Sequence, residues 1–518
     1  MRRRHRWVVT GVVAVMAGTT LVACGGSGSG SDDPERPVAI RLYDDVGSLD
    51  PALTSTSPGY QVAMFLYDRL VAIEDGKAVP HLAERWEVTP TSATFVIRKG
   101  ITCDDGSTLT ASAIAASMDR ALDPATKAIH APSYFPGGAV FTADDAAGTL
   151  TVTTPTPDPA MVLSLAHPAF SIICPQGLAD PSKLASQSFG SGPYALDGAV
   201  TGSAYTLRRR DGYAWGPTNA SASALPATVV AKVLPNESTA ANIFTQGDLD
   251  ITSSTNESAV KRMRSGNARE IASADSFAFV SFNQGTPVGA DPEVRQAVAR
   301  AVDPQAYAAA AQGTLATPSA NLMPDVTVCA QTDGESLRPE FNLDAARETL
   351  EAAGWSRNSA GIFEKNGEPL TIRVGSHNQE GSAGEYLSQA LEDLGAEVSS
   401  HQVELAAYVE DLTKGEWDVY ASTVNRLDSP ATLSVPFSRD GLDVARIRNP
   451  LFEEAMAAAR NAPSFEDSCE FWKTAQDELV RNVDVVPQAH LNLVYFDTGV
   501  DFSLGFFGLI EPSSLARG

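Results

Sequence analysis

Residues 342–355, NLDAARETLEAAGW, decide the fold together with the segments that follow: LTIRV at 370–374, LSQALEDLG at 387–395, VSSHQV at 398–403, LAAYVEDLTK at 405–414 and WDVYAS at 417–422. Asn342 is placed to cap a helix in which Leu343, Ala346, Leu350 and Ala353 recur three, four and three apart, with Gly354 as its stop. Leu370, Ile372 and Val374 alternate as a strand. Leu387, Ala390, Leu391 and Leu394 form one helical stripe ended by Gly395, and Val398–Val403, Leu405–Lys414 and Trp417–Ser422 continue as strand, helix and strand. Strands separated by helices of about ten residues imply an α/β fold, its parallel sheet joined by right-handed crossovers.

The same alternation extends outward. Val38, Ile40 and Leu42 read as a strand leading through a polar loop into a helix over about 58–70, and residues 93–98, 150–153 and 206–210 are β-rich. A helix over 111–122 is closed by Asp123-Pro124. Residues 229–234, a helix over 237–246 capped by Asn236, and 249–252 form a β-α-β unit. A strand at 277–282 precedes a helix over 292–302; helices over 451–461 and 465–481 lead to a terminal β-rich segment at 485–497.

The N-terminus reads as an export signal. Arg2, Arg3, Arg4 and Arg6 precede an apolar run, Trp7 to Ala23, too short for a comfortable membrane span. Leu21-Val22-Ala23-Cys24 resembles the bacterial lipobox, which implies cleavage before Cys24, lipidation there and attachment to the membrane; Gly25 to Asp33 has the composition of a tether. The formal net charge is -25, and losing the four leader arginines takes it to about −29, which argues against nucleic acid as a partner. The other cysteines, 103, 174, 329 and 469, are even in number in an exported chain, so two disulfides are expected, with three pairings open.

In open α/β sheets, ligands lie beyond the carboxyl ends of strands. That nominates the loops 44–49, 283–286, 376–380 and 423–430, and with them Ser48, Asn283, His377, Asn378, Asn425, Arg426 and Asp428. Catalytic signatures are missing from the sequence: no GxSxG, HExxH, Walker A or strand-linked GxGxxG occurs. His81, His130, His167, His401 and His490 are scattered and read as satisfied or surface side chains, while Asp104-Asp105 and Asp144-Asp145 read as acidic turns. No catalytic residue, metal or cofactor is expected.

Several stretches together resemble a known family. Leu49-Asp50-Pro51-Ala52, Leu66-Tyr67-Asp68-Arg69-Leu70, Pro80-His81-Leu82-Ala83-Glu84-Arg85-Trp86, Phe95 to Gly100, Gly190-Ser191-Gly192-Pro193-Tyr194, Gly247-Asp248-Leu249-Asp250, Phe282-Asn283 and Val294-Arg295-Gln296-Ala297 are similar, in order, to the family 5 (peptide and nickel type) solute-binding proteins of ABC importers. The resemblance implies a two-lobed, periplasmic-binding-protein-like type II fold of the extended, peptide-binding class, with two crossover strands at the hinge. It divides the chain into leader 1–23, lipidated Cys and tether 24–36, lobe I 37–280, lobe II 281–484 and a return to lobe I over 485–518. A bridge between lobes would lock the hinge, so it further implies Cys103 with Cys174 and Cys329 with Cys469.

The resemblance implies a non-enzymatic binding subunit that acts as a monomer, and its expected partners are a peptide or small solute, ABC permease subunits and, through lipid, the outer face of the cell membrane. In peptide-binding relatives an Asp after the strand equivalent to 417–422 holds the peptide ammonium, and only Asp428 stands there; where dipeptide binders carry an Arg, this chain has Ser376-His377-Asn378-Gln379. Both departures count against a dipeptide. A metal-chelate or haem binder on the same fold, with His377 as ligand, and an exported hydrolase are the alternatives.

Overall fold

The computed structural model describes residues 36–54, 56–74, 76–135, 137–217, 222–266, 268–425, 437–438, 442–505 and 508–517. Cys24, Arg426 and Asp428 therefore lie outside the described residues. Among the described residues no helix is long and apolar enough to cross a membrane.

Two long antiparallel strands, Arg269–Phe282 and Val485–Asp497, pair along most of their length and join two halves of one mixed sheet. On one side, Ile251–Ser254 pairs with the lower part of Val485–Asp497, followed by Val38–Leu42 and Thr228–Val233. The unit from Thr228–Val233 through helix Glu237–Thr245 to Ile251–Ser254 places both its strands parallel to Val38–Leu42, which lies between them. Asn236 caps that helix by accepting the Thr239 N–H.

On the other side, Val419–Asn425 pairs antiparallel with Arg269–Phe282 and parallel with Thr371–His377, which in turn is parallel to Glu397–Val403. This is the parallel portion expected from residues 370–422. Leu387, Ala390, Leu391 and Leu394 are all buried on helix Ala383–Leu394, and Gly395 ends it at φ 115, a left-handed conformation that glycine adopts without a Cβ penalty. Asn342 caps helix Leu343–Ala352 as its spacing implies.

Two departures are informative. The helix expected over 58–70 stops at Leu66, because Tyr67 turns extended and is buried against a crossing segment. There Gly190 and Gly192 approach so closely that an added Cβ would stand 2.0 Å from the Leu66 carbonyl oxygen and 2.5 Å from its carbonyl carbon. The segment expected as a strand over 249–252 pairs over Ile251–Ser254 instead. Unanticipated are a hairpin, Val71–Glu74 with Lys77–Pro80, and the strands Ala83–Thr89 and Val140–Asp144, which with the expected strands Ser92–Ile97 and Thr149–Thr153 make a four-stranded antiparallel sheet.

The apolar cores fall on either side of the crossing strands. One joins residues of 38–251 with Tyr495, Phe502 and Leu515; two others are built from residues between 277 and 491. Each disulfide staples one side. Cys103 pairs with Cys174 at a Cα separation of 6.1 Å, and Cys329 pairs with Cys469 at 5.0 Å, the expected connectivity.

Candidate functional site

Strand polarity places a site at the middle of the crossing pair. Val38–Leu42 and Ile251–Ser254 run in the direction of Arg269–Phe282, whereas Val419–Asn425 runs against it. Ser253 lies opposite Tyr495, which lies opposite Ile271, and Asn425 lies opposite Ser276. The carboxyl ends of strands from the two halves therefore point toward each other at the level of residues 272–276. Loops at those ends are free to vary while the sheet stays rigid.

A cavity of about 1090 Å³ opens at this level. Its floor is Ala272, Ser273 and Ala274 of the first crossing strand. One wall comes from the first hairpin (Glu74, Gly76, Lys77) and the C-terminal segment (Leu504, Glu511, Ser513); the facing wall is Asp325–Cys329 with the start of helix Phe465–Arg481. Five carboxylates, Glu74, Asp325, Glu466, Glu470 and Glu511, face a single ammonium, Lys77, among its described residues. Two of the five have cationic neighbours: Glu470 pairs with Lys473 at 2.9 Å, and Glu511 lies 3.6 Å from the buried Arg69 guanidinium. A cavity of this size is at the upper end of those that enclose small-molecule ligands, roughly 300–1,000 Å³.

None of the five described ligand candidates forms part of its walls. Ser48 is half-buried, and its hydroxyl accepts the Asp50 N–H at 3.1 Å. Asn283 is fully buried; its amide donates to the Gly415 and Trp417 carbonyls, both at 3.1 Å, and its oxygen accepts the Gly285 N–H at 3.0 Å. That side chain holds the turn before Val419–Asn425, with both amide hydrogens already engaged. His377 is also buried: Nδ1 accepts the Gln379 N–H at 3.3 Å, Nε2 stands 3.0 Å from Glu380 Oε1, and the ring packs edge-on to Tyr408. Asn378 is exposed, and its amide reaches Glu404 while its oxygen accepts the Leu405 N–H at 3.2 Å. Asn425 is exposed at the end of its strand.

Burial therefore removes Asn283 and His377 from a solute's reach in this conformation. It also reveals Glu380, which shares the nominated loop but was not singled out by sequence pattern. Burial pushes the Glu380 carboxyl up, and the neighbouring His377 and Thr423 offset part of that rise. The wall residues 325–329 and 503–514 carry no helical or strand period that would have flagged them. Among the described residues no group of three His, Cys, Asp or Glu side chains is placed to hold a metal ion.

The model of bacterial extracellular solute-binding proteins, family 5, middle part, matches residues 77–440. The chain belongs to this family. Among curated relatives, the glutathione-binding protein GsiB of Salmonella choleraesuis (strain SC-B67) is 24% identical over 465 residues, 87% of this chain and 88% of that protein. Among solved structures, NikA from Brucella suis in complex with Fe(III)-EDTA superposes with a TM-score of 0.78 at 20% identity, covering 93% of this chain and 100% of that one. The Escherichia coli murein tripeptide binding protein MppA gives 0.69 at 20% identity, covering 93% and 98%. These neighbours establish the type II periplasmic-binding-protein-like fold. The protein is thus a family 5 solute-binding protein of the ABC-importer class, a family of extracytoplasmic binding proteins.

Proposed function

We propose that this family 5 chain captures an oligopeptide or similarly sized small solute between two lobes, 37–280 with 485–518 and 281–484, and delivers it without chemical change to an ABC permease. The observation that carries this reading is the cavity of about 1090 Å³ on the floor of the crossing strands, with walls from both sides of the sheet. Its volume suits a short peptide better than a bare ion. The ligands for which two relatives are named, glutathione and a murein tripeptide, are of that size class. Asn425, with Arg426 and Asp428 just beyond it, Asn378 after the parallel neighbouring strand, and Ser48 in the other half are proposed to meet the solute once the lobes close. The lipobox supports anchoring through Cys24 to the outer face of the cell membrane, as a monomer.

Equilibrium dialysis of the full chain against a tripeptide pool, a sugar pool and a metal-chelate pool, with mass spectrometry of what is retained, tests the reading. Saturable retention of peptides unchanged in mass is expected. Turnover without retention would overturn it, and retention of chelates alone would replace the peptide with that ligand class.

A further inference from the structure

The two disulfides occupy different environments. Cys103 and Cys174 are each 1% exposed inside the apolar core. Cys329, 8% exposed, and Cys469 also pack into an apolar cluster, but they border both the 1090 Å³ cavity and a neighbouring pocket of about 250 Å³. Cys469 is partly exposed near the start of helix Phe465–Arg481, which is fixed to the core by Trp472 and Leu479. Cys329 ends the wall segment Asp325–Cys329, which forms only turns, closed by Thr327 N–H to Pro324 and Ala330 N–H to Thr327. Cys329 itself sits at φ 59, a left-handed conformation that a non-glycine residue holds only when its surroundings impose it.

Beyond the bridge the chain is tied down again: Gln476 donates to the Cys329 carbonyl at 2.8 Å and accepts the Gln331 N–H at 3.2 Å. Before it, the wall projects across the cleft. Val326 is 60% exposed, and Val328 reaches the first hairpin, where a Cβ on Gly76 would stand 3.6 Å from Val328 Cγ2. The segment thus runs from a fixed post on one side of the crossing strands to a contact on the other.

We propose that Cys329–Cys469 is a thiol-addressable tether for this wall: oxidised, it holds Asp325–Cys329 across the cleft and against Gly76; reduced, it lets the wall swing away and the cleft lose its solute. The reductant is a small thiol, RSH. Its thiolate attacks the more accessible Cys469 Sγ, the protein S–S bond breaks, and Cys329 leaves as a thiolate that takes a proton. A second RSH resolves the mixed disulfide, giving the Cys469 thiol and RSSR, so two electrons pass from the thiols to the protein. The effect on retention rests on the cavity being the solute site; the tether itself does not.

The test treats the folded full chain with 2-mercaptoethanol, then alkylates and maps it by mass spectrometry, and follows amide exchange of residues 325–332. Alkylation of Cys329 and Cys469 ahead of Cys103 and Cys174, with exchange in 325–332 at least about tenfold faster, is expected. Simultaneous reduction of both bridges, or unchanged exchange after selective reduction, would overturn the tether. The Cys329→Ser/Cys469→Ser variant should match the reduced protein in exchange and lose about tenfold in retention of the tripeptide pool, a shift of about 1.4 kcal/mol. Fast exchange with undiminished peptide retention would overturn the link to the cleft, whereas no retention by the oxidised protein would overturn the proposed function and leave the exchange result standing.

Discussion

Four side chains meet the fully buried Asp68 carboxylate: Ser191, Tyr213 and Trp215 donate to it at 2.8 Å, and His81 Nε2 lies 2.9 Å away. Asp68, His81 and Ser191 come from stretches that carried the family resemblance, so those motifs mark a polar hub inside one half rather than a solute contact. Burial alone would raise the Asp68 pKa, but the charge and hydrogen bond of His81 and the other donors hold it below the usual carboxylate range. A depressed carboxyl stabilises the fold above its unfolded pKa, and that contribution is lost as pH falls through the folded value. Asp68→Ala is expected to cost about 3–5 kcal/mol at neutral pH, read from urea unfolding, because it strands buried donors; an unchanged midpoint would refute the hub. Asp158 behaves oppositely. Burial pushes its carboxyl up to about 6, against the pull of the Ala160 N–H it accepts. Its folded form prefers the proton, so stability declines as pH rises from near 4 to about 6. Asp158→Asn keeps the acceptor and should flatten that part of a melting-temperature profile; a profile identical to the parent would contradict the assignment.

At the scale of elements, what was legible was what local pattern dictates. Helix 343–352 was readable because a cap, apolar spacing and a glycine stop agreed, helix 383–394 from its apolar stripe and Gly395, and helix 111–122 from its stop at Asp123-Pro124. Strand Ala83–Thr89, which pairs with the legible Ser92–Ile97, was hidden because it is largely exposed, with Glu84, Arg85 and Glu87 breaking the apolar run. The early stop at Leu66 depends on the close approach of Gly190 and Gly192 from more than a hundred positions away, which no local window contains. The site shows the same division. Strand ends could be nominated from the crossover rule, but whether a polar side chain there is open, like Asn425, or engaged, like Asn283, depends on partners distant in sequence. Leu387 gives a direct check on the legible part: it is 0% exposed in the core beneath the parallel strands, so Leu387→Ala should lower stability by about 2–5 kcal/mol. A loss under half a kcal/mol by urea unfolding would mean the stripe does not face that core as described.

For the molecule as a whole, the proposed closure asks two things of the crossing strands: to keep the halves in register and to let them move. The ladder between them is long, yet its register shifts between Ala274 and Ser276 and again between Ala278 and Phe279. A bulge leaves a residue unpaired and bends its strand, so these are the positions where the pair yields most easily. The first lies beside Ala272–Ala274, the floor of the cavity, which couples bending to the space a solute would fill. On the strand opposite, Asn492, the cross-strand partner of Ala274, donates to the Leu315 carbonyl at 2.6 Å, and Thr314 donates to Glu257 at 2.6 Å. Closure then requires that solute contacts be made only in the closed state, since a ligand bound equally by both conformations shifts nothing. Saturation with the retained solute is therefore expected to lower the radius of gyration in solution scattering and to slow amide exchange at residues 272–279. Binding with no change in either measurement would mean that the cavity accepts its solute as a rigid cleft and that the bulges serve only the twist of the sheet.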